Sequence, residues 1–366
     1  FRATDQWFLN VEHESLRQQL LQAVEQEVRW IPPEGKERMY GMIKTRPDWC
    51  LSRQRLWGIP IPAVECVGCG NGVLDAGVIE IFARAIEIDP EGSDRWFSEP
   101  VEKWLPSGFR CGQCRGARFK PGTDILDVWF DSGVSHQGVL TRRKELSFPA
   151  DLYLEGSDQH RGWFQVSLIT GVALSGKPPY RGVLTHGFVV DGQGRKMSKS
   201  LGNVIAPQEV ISSSGADLLR LWVASSDYRE DVRLSPKILN QMGEVHRKIR
   251  NTLRFCLANL FDFRPAESAL PLGDMDELDH WVLSRLGILV KEVTQSYQQY
   301  AFHRVVKQIH EFCTLVLSNF YLDVIKDRLY TFHPRDPKRL SAQKALGELA
   351  QTLILLVAPI LPMTAE

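Results

Sequence analysis

Five consecutive residues, Lys196-Met197-Ser198-Lys199-Ser200, put two ammonium groups and two hydroxyls on one short stretch. They follow an apolar run, Val183 to Val190, and a polar turn, Asp191-Gly192-Gln193-Gly194-Arg195. Ammonium groups neutralise polyphosphate charge, and hydroxyls with backbone N–H groups cradle its oxygens. A solvated charged loop has the same composition; the order, after a strand and a tight turn, favours the phosphate grip. A second polar stretch, Glu155-Gly156-Ser157-Asp158-Gln159-His160-Arg161-Gly162-Trp163-Phe164, follows the strand-like Asp151 to Leu154 and opens a helix running from Trp163 to Leu174. Ligands of open α/β sheets bind beyond the carboxyl ends of strands, and a helix N-terminus there favours anions. Ser157 or Asp158 reads equally as the cap of that helix.

Cys66-x-x-Cys69 and Cys111-x-x-Cys114 offer four thiolates, the number that a tetrahedral structural zinc takes. Gly68, Gly70, Gly112 and Gly116 suit tight knuckles around them. Four reduced thiols without metal fit the same spacing. Cys50, Cys256 and Cys313 sit in apolar contexts and read as packing residues. No export-type segment is evident, so the pairs point to metal in a reducing compartment.

The elements that must position these groups follow from periodicity. Phe1 to Leu9 reads as a strand, and Leu16, Leu20, Leu21 and Val24 as a helix that Ile31-Pro32-Pro33 terminates. A short amphipathic helix covers Val78 to Ile86. From about residue 116 strands and helices alternate, which argues for a parallel sheet. Val183 to Val190 is one strand, and Ser212-Ser213-Ser214-Gly215 announces a helix over Ala216 to Ala224. Beyond Pro236 the strands stop. Apolar residues then recur near every 3.6 positions over Lys237 to Leu260, Leu278 to Tyr300, Arg304 to Leu329 and Ala342 to Leu356, an all-helical bundle. Arg264 to Asp276 reads as an inter-helix loop.

The bulk numbers exclude some classes. The 366 residues allow two or three domains. Lys plus Arg equals Asp plus Glu at 44 each, so global charge does not mark a nucleic-acid binder, and any RNA contact must be local. The longest apolar candidate for a bilayer span, Thr352 to Met363, is short and holds Pro359 and Pro362. Residues 237–264 carry a local basic excess that includes Arg247, Lys248, Arg250 and Arg254, suited to phosphates; a solvated helix face is the alternative for each.

The Lys196–Ser200 loop resembles the KMSKS signature of class I aminoacyl-tRNA synthetases. Read with Glu155–Phe164, Asp48-Trp49-Cys50-Leu51-Ser52-Arg53-Gln54-Arg55-Leu56-Trp57-Gly58, Asp127-Val128-Trp129-Phe130-Asp131-Ser132-Gly133 and Asp217 to Ser225, the chain resembles the isoleucyl branch of class Ia throughout its length. Valyl and leucyl enzymes share the architecture and the lysine loop, and the valyl branch and a non-catalytic RNA-binding module with a synthetase-derived fold are the competing readings.

The resemblance implies the second, carboxy-terminal half of a Rossmann-like α/β nucleotide-binding fold with a zinc-knuckle insertion, then an all-α anticodon-binding bundle. It divides the chain at residues 1–45 (return from an absent editing domain), 46–120 (connecting and zinc region), 121–235 (catalytic half with the lysine loop) and 236–366 (helical domain). Its reaction activates isoleucine with ATP and Mg²⁺ and passes it to the 3′ end of tRNA(Ile), in a cytoplasmic or organellar monomer. Glu155 would hold the amino-acid ammonium group, Trp129 and Trp163 would wall the aliphatic pocket, and Gly156, Asp158 and Gln159 would line the adenylate. His186 and Gly187 would lie against adenosine, with Met197, Ser198 and Lys199 on ATP; a buried core role competes for His186. Lys196 and Lys199 would stabilise departing pyrophosphate, Cys66, Cys69, Cys111 and Cys114 would hold Zn²⁺, and Arg247, Lys248, Arg250 and Arg254 would meet tRNA. The family also needs a His-x-Gly-His helix start, which Ser135-His136-Gln137-Gly138 and Thr185-His186-Gly187 do not supply. With Phe1 first, the chain is expected to be an excised piece, inactive alone.

Overall fold

The structure is a computed structural model that describes residues 4–88, 92–265 and 271–366. It divides into two compact units, Phe1–Thr185 and His186–Glu366.

In the first unit, strand Gly182–His186 pairs in parallel with Arg29–Ile31 and is flanked on its other side by Tyr153–Gly156. Parallel strands need both faces covered. The helix Trp163–Ser175 supplies one cover, and its residues Phe164 to Val172 are all buried. Such a helix is apolar all round rather than amphipathic, and it stops at Gly176, whose φ of 63° suits a left-handed C-terminal position. Trp30, Met39, Ile43, Trp49, Tyr153, Phe164, Ile169, Tyr180 and Val183 belong to one core.

Several boundaries depart from the sequence reading. The first helix, Leu16–Gln22, runs through a wide turn to Glu27 and stops before Pro32, because Arg29–Ile31 is needed as a strand. A further helix, Glu34–Lys44, starts directly after Pro33 and buries Gly35, Met39 and Ile43. The sequence reading assigns no element to this stretch; in the structure Gly35 packs on Trp30 and His160, where a Cβ would come within 3.3 Å of the imidazole. The amino-terminal strand is Phe8–Leu9, paired antiparallel with Trp49–Cys50; residues 1–3 lie outside the described residues. The strand expected over Asp151 to Leu154 begins at Tyr153, with Leu154 half exposed. Neither Ser157 nor Asp158 caps the next helix. Residues Ser157–Arg161 form a 3-10 turn, and Gln159 Oε1 accepts the Trp163 N–H at 2.9 Å instead.

The insertion is a small module of its own. Strands Ala63–Cys66, Gly72–Leu74 and Phe119–Pro121 form an antiparallel sheet, and Ala76–Glu87 is a helix capped by Asp75. Phe82, Trp96 and Trp104 make its aromatic core, with ring centroids 5.2 to 6.4 Å apart.

In the second unit, the strand expected to run unbroken to Val190 is interrupted after His186. Val189–Asp191 pairs in parallel with Val232–Leu234. The break falls at Gly187, where a Cβ would meet the Glu230 carbonyl at 2.3 Å; only glycine permits that approach. Ser212 to Ser214 form the end of a helix, Pro207–Ser214, rather than a loop, and Gly215 ends it. Helices Pro236–Ala258, Glu277–Gln298, Phe302–Glu311 and Pro337–Val357 follow, the first, second and fourth capped by Ser235, Asp276 and Asp336. The helix expected from Arg304 begins at Phe302 and passes through a wide-turn segment, Phe312–Tyr321. Of the expected 264–276 loop, residues 266–270 lie outside the described residues.

One polar knot lies inside this bundle. Asp279 is fully buried and accepts from Tyr321 Oη at 2.7 Å, Ser341 Oγ at 2.5 Å and Arg328 at 3.3 Å. Burial raises its carboxyl above the usual range, against the pull of Ser341, Tyr321 and Arg328. Asp279→Ala leaves buried donors without an acceptor and is expected to destabilise the bundle by about 3 kcal/mol, while Asp279→Asn, which retains an acceptor, costs less. Urea unfolding followed by circular dichroism checks this; equal midpoints for the wild type and the alanine variant refute it.

Candidate functional site

A cavity of ≈ 480 Å³ in the first unit is lined by Trp129, Ser132, Ser135, Glu155, Gln159 and Trp163. Two elements converge there. Strand Tyr153–Gly156 delivers Glu155 at its carboxyl end, and the helix Val128–Gly133 delivers Trp129 and Ser132. Trp163 is fixed on three sides. Its indole N–H donates to the Ser132 carbonyl at 3.1 Å and Ser135 Oγ at 3.2 Å, and its ring stacks on Tyr153 at 4.0 Å. Trp129 keeps 41% of its surface exposed. Glu155 is exposed, and among the described residues no cation pairs with it; the contact given for its carboxylate is the Gly156 N–H at 3.2 Å. Two indole walls and one unpaired carboxylate suit a ligand with an apolar side chain and an ammonium group.

Of the residues that the sequence assigns to the amino acid or its adenylate, Trp129, Glu155, Gln159 and Trp163 share this cavity; Gly156 and Asp158 stand beside them in the chain but outside its lining. Asp158 accepts from Gln159 Nε2 at 3.0 Å. Ser132 and Ser135 had no assigned role. Neither did Asp127, which is buried and accepts from Trp49 Nε1 at 3.0 Å, Arg53 at 2.9 Å and the Trp129 N–H at 3.3 Å. An aspartate just before an apolar helix start is a capping signal, and that signal was available in the sequence. Asp131, on the same helix, has its carboxyl raised by burial and by Asp127.

The lysine loop belongs to the second unit. Asp191 frames it: one carboxylate oxygen accepts the Gln193 and Arg195 N–H groups at 3.0 and 2.8 Å, and the other accepts Arg195 Nε at 2.8 Å and Asn203 Nδ2 at 3.0 Å. Asn203 closes the far side. It takes the Ser198 N–H at 2.9 Å and donates to the Lys196 carbonyl at 3.3 Å. Asn203 and Arg195 hold the Asp191 carboxyl well below the usual range. Lys196 and Lys199 are exposed, and no hydrogen bond or ion pair among the described residues occupies either ammonium group. Ser198 caps the short turn Lys199–Leu201, and Met197 is half-buried. His186 is half-buried, its Nδ1 2.7 Å from the Gly187 carbonyl. Arg247, Lys248, Arg250 and Arg254 are all exposed on helix Pro236–Ala258, with Arg247 paired to Glu244.

The four cysteine sulfurs of the insertion lie within 4.8 Å of one another, with Cys66 to Cys114 at 3.5 Å and Cys69 to Cys111 at 3.7 Å. These distances exceed any disulfide. They match the spacing of about 3.8 Å that follows from tetrahedral coordination at about 2.3 Å per zinc–sulfur bond. The two knuckles repeat one backbone pattern: Gly70 N–H reaches the Cys66 carbonyl at 2.8 Å, and Arg115 N–H reaches the Cys111 carbonyl at 2.9 Å. Gly70 and Arg115 take the left-handed position in each, so in the second knuckle Arg115, not a glycine, turns the chain. The donor set also fits a cation electrostatically. The Cys114 and Gln113 N–H groups draw the Cys111 thiol down to about 6. Cys69, despite the Asn71 N–H, is pushed up to about 12 by its neighbouring thiols, Cys114 first among them. Four thiols this close ionise together only around positive charge.

Residues 1–235 match the family model "tRNA synthetases class I (I, L, M and V)", and residues 279–366 match "Anticodon-binding domain of tRNA ligase". The chain belongs to the class I tRNA synthetases. Among its curated relatives are the isoleucine–tRNA ligases of Caldanaerobacter subterraneus subsp. tengcongensis, 51% identical over 366 residues, and of Moorella thermoacetica, 52% identical over 370. Each match covers 100% of this chain and 39% of the relative, so the chain spans well under half the length of these proteins. Mycobacterium tuberculosis methionyl-tRNA synthetase bound by methionyl-adenylate shares the fold at a TM-score of 0.68 and 18% identity, over 98% of this chain and 61% of that one. The Agrobacterium radiobacter K84 agnB2 LeuRS-tRNA-LeuAMS complex does so at 0.57 and 22%, over 87% and 40%.

Two outcomes are expected. Elemental analysis finds one zinc per chain, and Cys111→Ser abolishes it and raises Trp96 and Trp104 solvent exposure in fluorescence quenching; metal-free protein with an intact insertion counts against the site. Asp191→Ala speeds amide exchange across residues 193–201 at least about tenfold. Because the Asp191 carboxyl is depressed in the folded loop, its contribution is complete above the ordinary value of about 3.9 and fades as pH falls below it. Protection corrected for intrinsic rates should therefore persist at pH 5 and decline only in stronger acid.

Proposed function

We propose that this chain is the lysine-loop part of an isoleucine-activating tRNA synthetase. The observation that carries the reading is the cavity walled by Trp129 and Trp163 with an unpaired Glu155 carboxylate in its lining. It suits an α-amino acid with an aliphatic side chain, and the naming of the relatives as isoleucine–tRNA ligases selects isoleucine. Glu155 holds the α-ammonium group, the indoles cover the side chain, and Gly156, Asp158 and Gln159 serve the ribose and α-phosphate region.

The isoleucine carboxylate attacks the α-phosphorus of ATP, forming the acyl phosphate bond and releasing pyrophosphate. A terminal hydroxyl of tRNA(Ile) then attacks the acyl carbon and displaces AMP. No covalent enzyme intermediate is needed; catalysis rests on positioning and charge stabilisation. Lys196 and Lys199 offset the charge that develops on pyrophosphate, with Mg²⁺ travelling on ATP. Met197, Ser198, His186 and Gly187 contact the nucleotide. Cys66, Cys69, Cys111 and Cys114 hold a zinc whose four positions are filled, so its work is structural. Arg247, Lys248, Arg250 and Arg254 meet tRNA phosphates. The free cysteines support a reducing, cytoplasmic setting, and no helix among the described residues is long and apolar enough to cross a membrane.

In the full-length protein, isoleucine-dependent ATP–pyrophosphate exchange is expected, and Lys199→Ala should slow it by about 10²–10³-fold with isoleucine affinity changed less than about twofold. The 366-residue chain alone, which contains no His-x-Gly-His, should give only background exchange. Robust exchange by the isolated chain, or an equal loss of affinity in the lysine variant, overturns these assignments.

A further inference from the structure

Gly162 stands between the two indoles that wall the cavity. It is buried, and it precedes Trp163 at the N-terminus of the helix Trp163–Ser175. A Cβ built on it would lie 2.9 Å from Trp129 Cη2, 3.0 Å from Trp129 Cζ3 and 2.6 Å from Gln159 Oε1. Trp129 therefore rests the edge of its six-membered ring directly on the Gly162 backbone. Separations under 3.0 Å are not accommodated by small adjustments, so any side chain at 162 must move a neighbour.

The neighbours differ in how freely they move. Trp163 is tied by two hydrogen bonds from its indole nitrogen and by stacking on Tyr153. Gln159 is engaged with the Trp163 N–H and with Asp158. The Trp129 indole carries no such tie among the described residues and has 41% of its surface exposed. The nearest overlap, Gln159 Oε1 at 2.6 Å, is with the end of a flexible side chain that can swing aside; the overlap with Trp129 is with a rigid ring, which must move as a whole.

We propose that Gly162 is a specificity-determining residue: its bare backbone seats Trp129 and so sets the gap that an aliphatic side chain fills. The inference rests on the reading of the cavity as the amino-acid site. A displaced Trp129 lowers selectivity in either direction of movement. Moved inward, it excludes the larger side chain; moved outward, it forfeits contact with the extra methylene. One methylene in an apolar pocket is worth about 10- to 200-fold, isoleucine against valine being the standard instance.

The test is pyrophosphate exchange with isoleucine and with valine in the full-length protein, for wild type, Gly162→Ala, Trp129→Phe and the double variant. Gly162→Ala is expected to lower the isoleucine-over-valine ratio of kcat/KM by about tenfold. The smaller ring of the double variant relieves the overlap and should recover part of that ratio. In parallel, 5-fluorotryptophan labelling, with the Trp129 signal assigned from Trp129→Phe, should show that signal shifted in Gly162→Ala while the Trp163 signal stays in place. An unchanged ratio, a uniform loss for both amino acids without rescue, or an unshifted Trp129 signal overturns the inference. Wild-type protein that activates neither amino acid overturns the functional reading itself, and the selectivity role with it; the two failures are told apart because only the second shows in wild type.

Discussion

The first unit depends on the Asp127 carboxylate. It is buried, so its charge is costly unless donors surround it. Trp49 and Arg53 supply two of them from one stretch 74 to 78 residues earlier, and the Trp129 N–H supplies a third locally. The same carboxylate thus ties strand Trp49–Cys50 and the Arg53 side chain to the start of the helix that carries Trp129. Charge-assisted bonds are directional, so they fix where that helix begins and not merely that it packs. The wall of the cavity inherits its position from this knot on one side and from Gly162 on the other.

Polar groups are used in the same way throughout the molecule. Trp163 is held through its indole nitrogen, the Phe164 carbonyl takes the buried Tyr180 hydroxyl, and Asp279 gathers Tyr321, Ser341 and Arg328 inside the bundle. In each of these three knots the buried donors find an acceptor, which makes the arrangement unique where apolar packing alone tolerates alternatives.

What could be read from the sequence follows from how local its cause is. The helices of the second unit announce themselves by apolar spacing and by Ser235, Asp276 and Asp336 at their starts, all local signals. The alternation of strands and helices from about residue 116 implies a parallel sheet; the parallel partner of Gly182–His186 is Arg29–Ile31, a strand from outside that region where the sequence reads as the end of a helix. The failures have non-local causes. Helix Glu34–Lys44 is built around Gly35, whose missing side chain makes room for His160, 125 residues away, as well as for the nearby Trp30. The strand break at Gly187 answers to the Glu230 carbonyl, 43 residues away. Cysteine spacing, glycines and the lysine loop mark candidate chemistry, but the residues that orient those groups, such as Asp127 and Asn203, carry ordinary side chains whose importance lies in what they touch.

The lysine loop shows how such framing leaves charge available. Three cations lie within five residues, Arg195, Lys196 and Lys199. Arg195 is spent: its backbone and guanidinium both bind Asp191, whose remaining capacity goes to Gln193 and Asn203. The carboxylate is saturated, and so it does not draw in either lysine. Asn203 secures the backbone at Lys196 and Ser198 with an uncharged amide, which holds the chain without competing for the ammonium groups. A carboxylate in that place could still accept the Ser198 N–H, but it could donate neither to Asp191 nor to the Lys196 carbonyl, and it would neutralise the charge the loop carries. With an amide there, the backbone is fixed while both ammonium groups remain unsatisfied, and an unsatisfied pair of cations on a held backbone is the arrangement that the proposed grip on polyphosphate calls for.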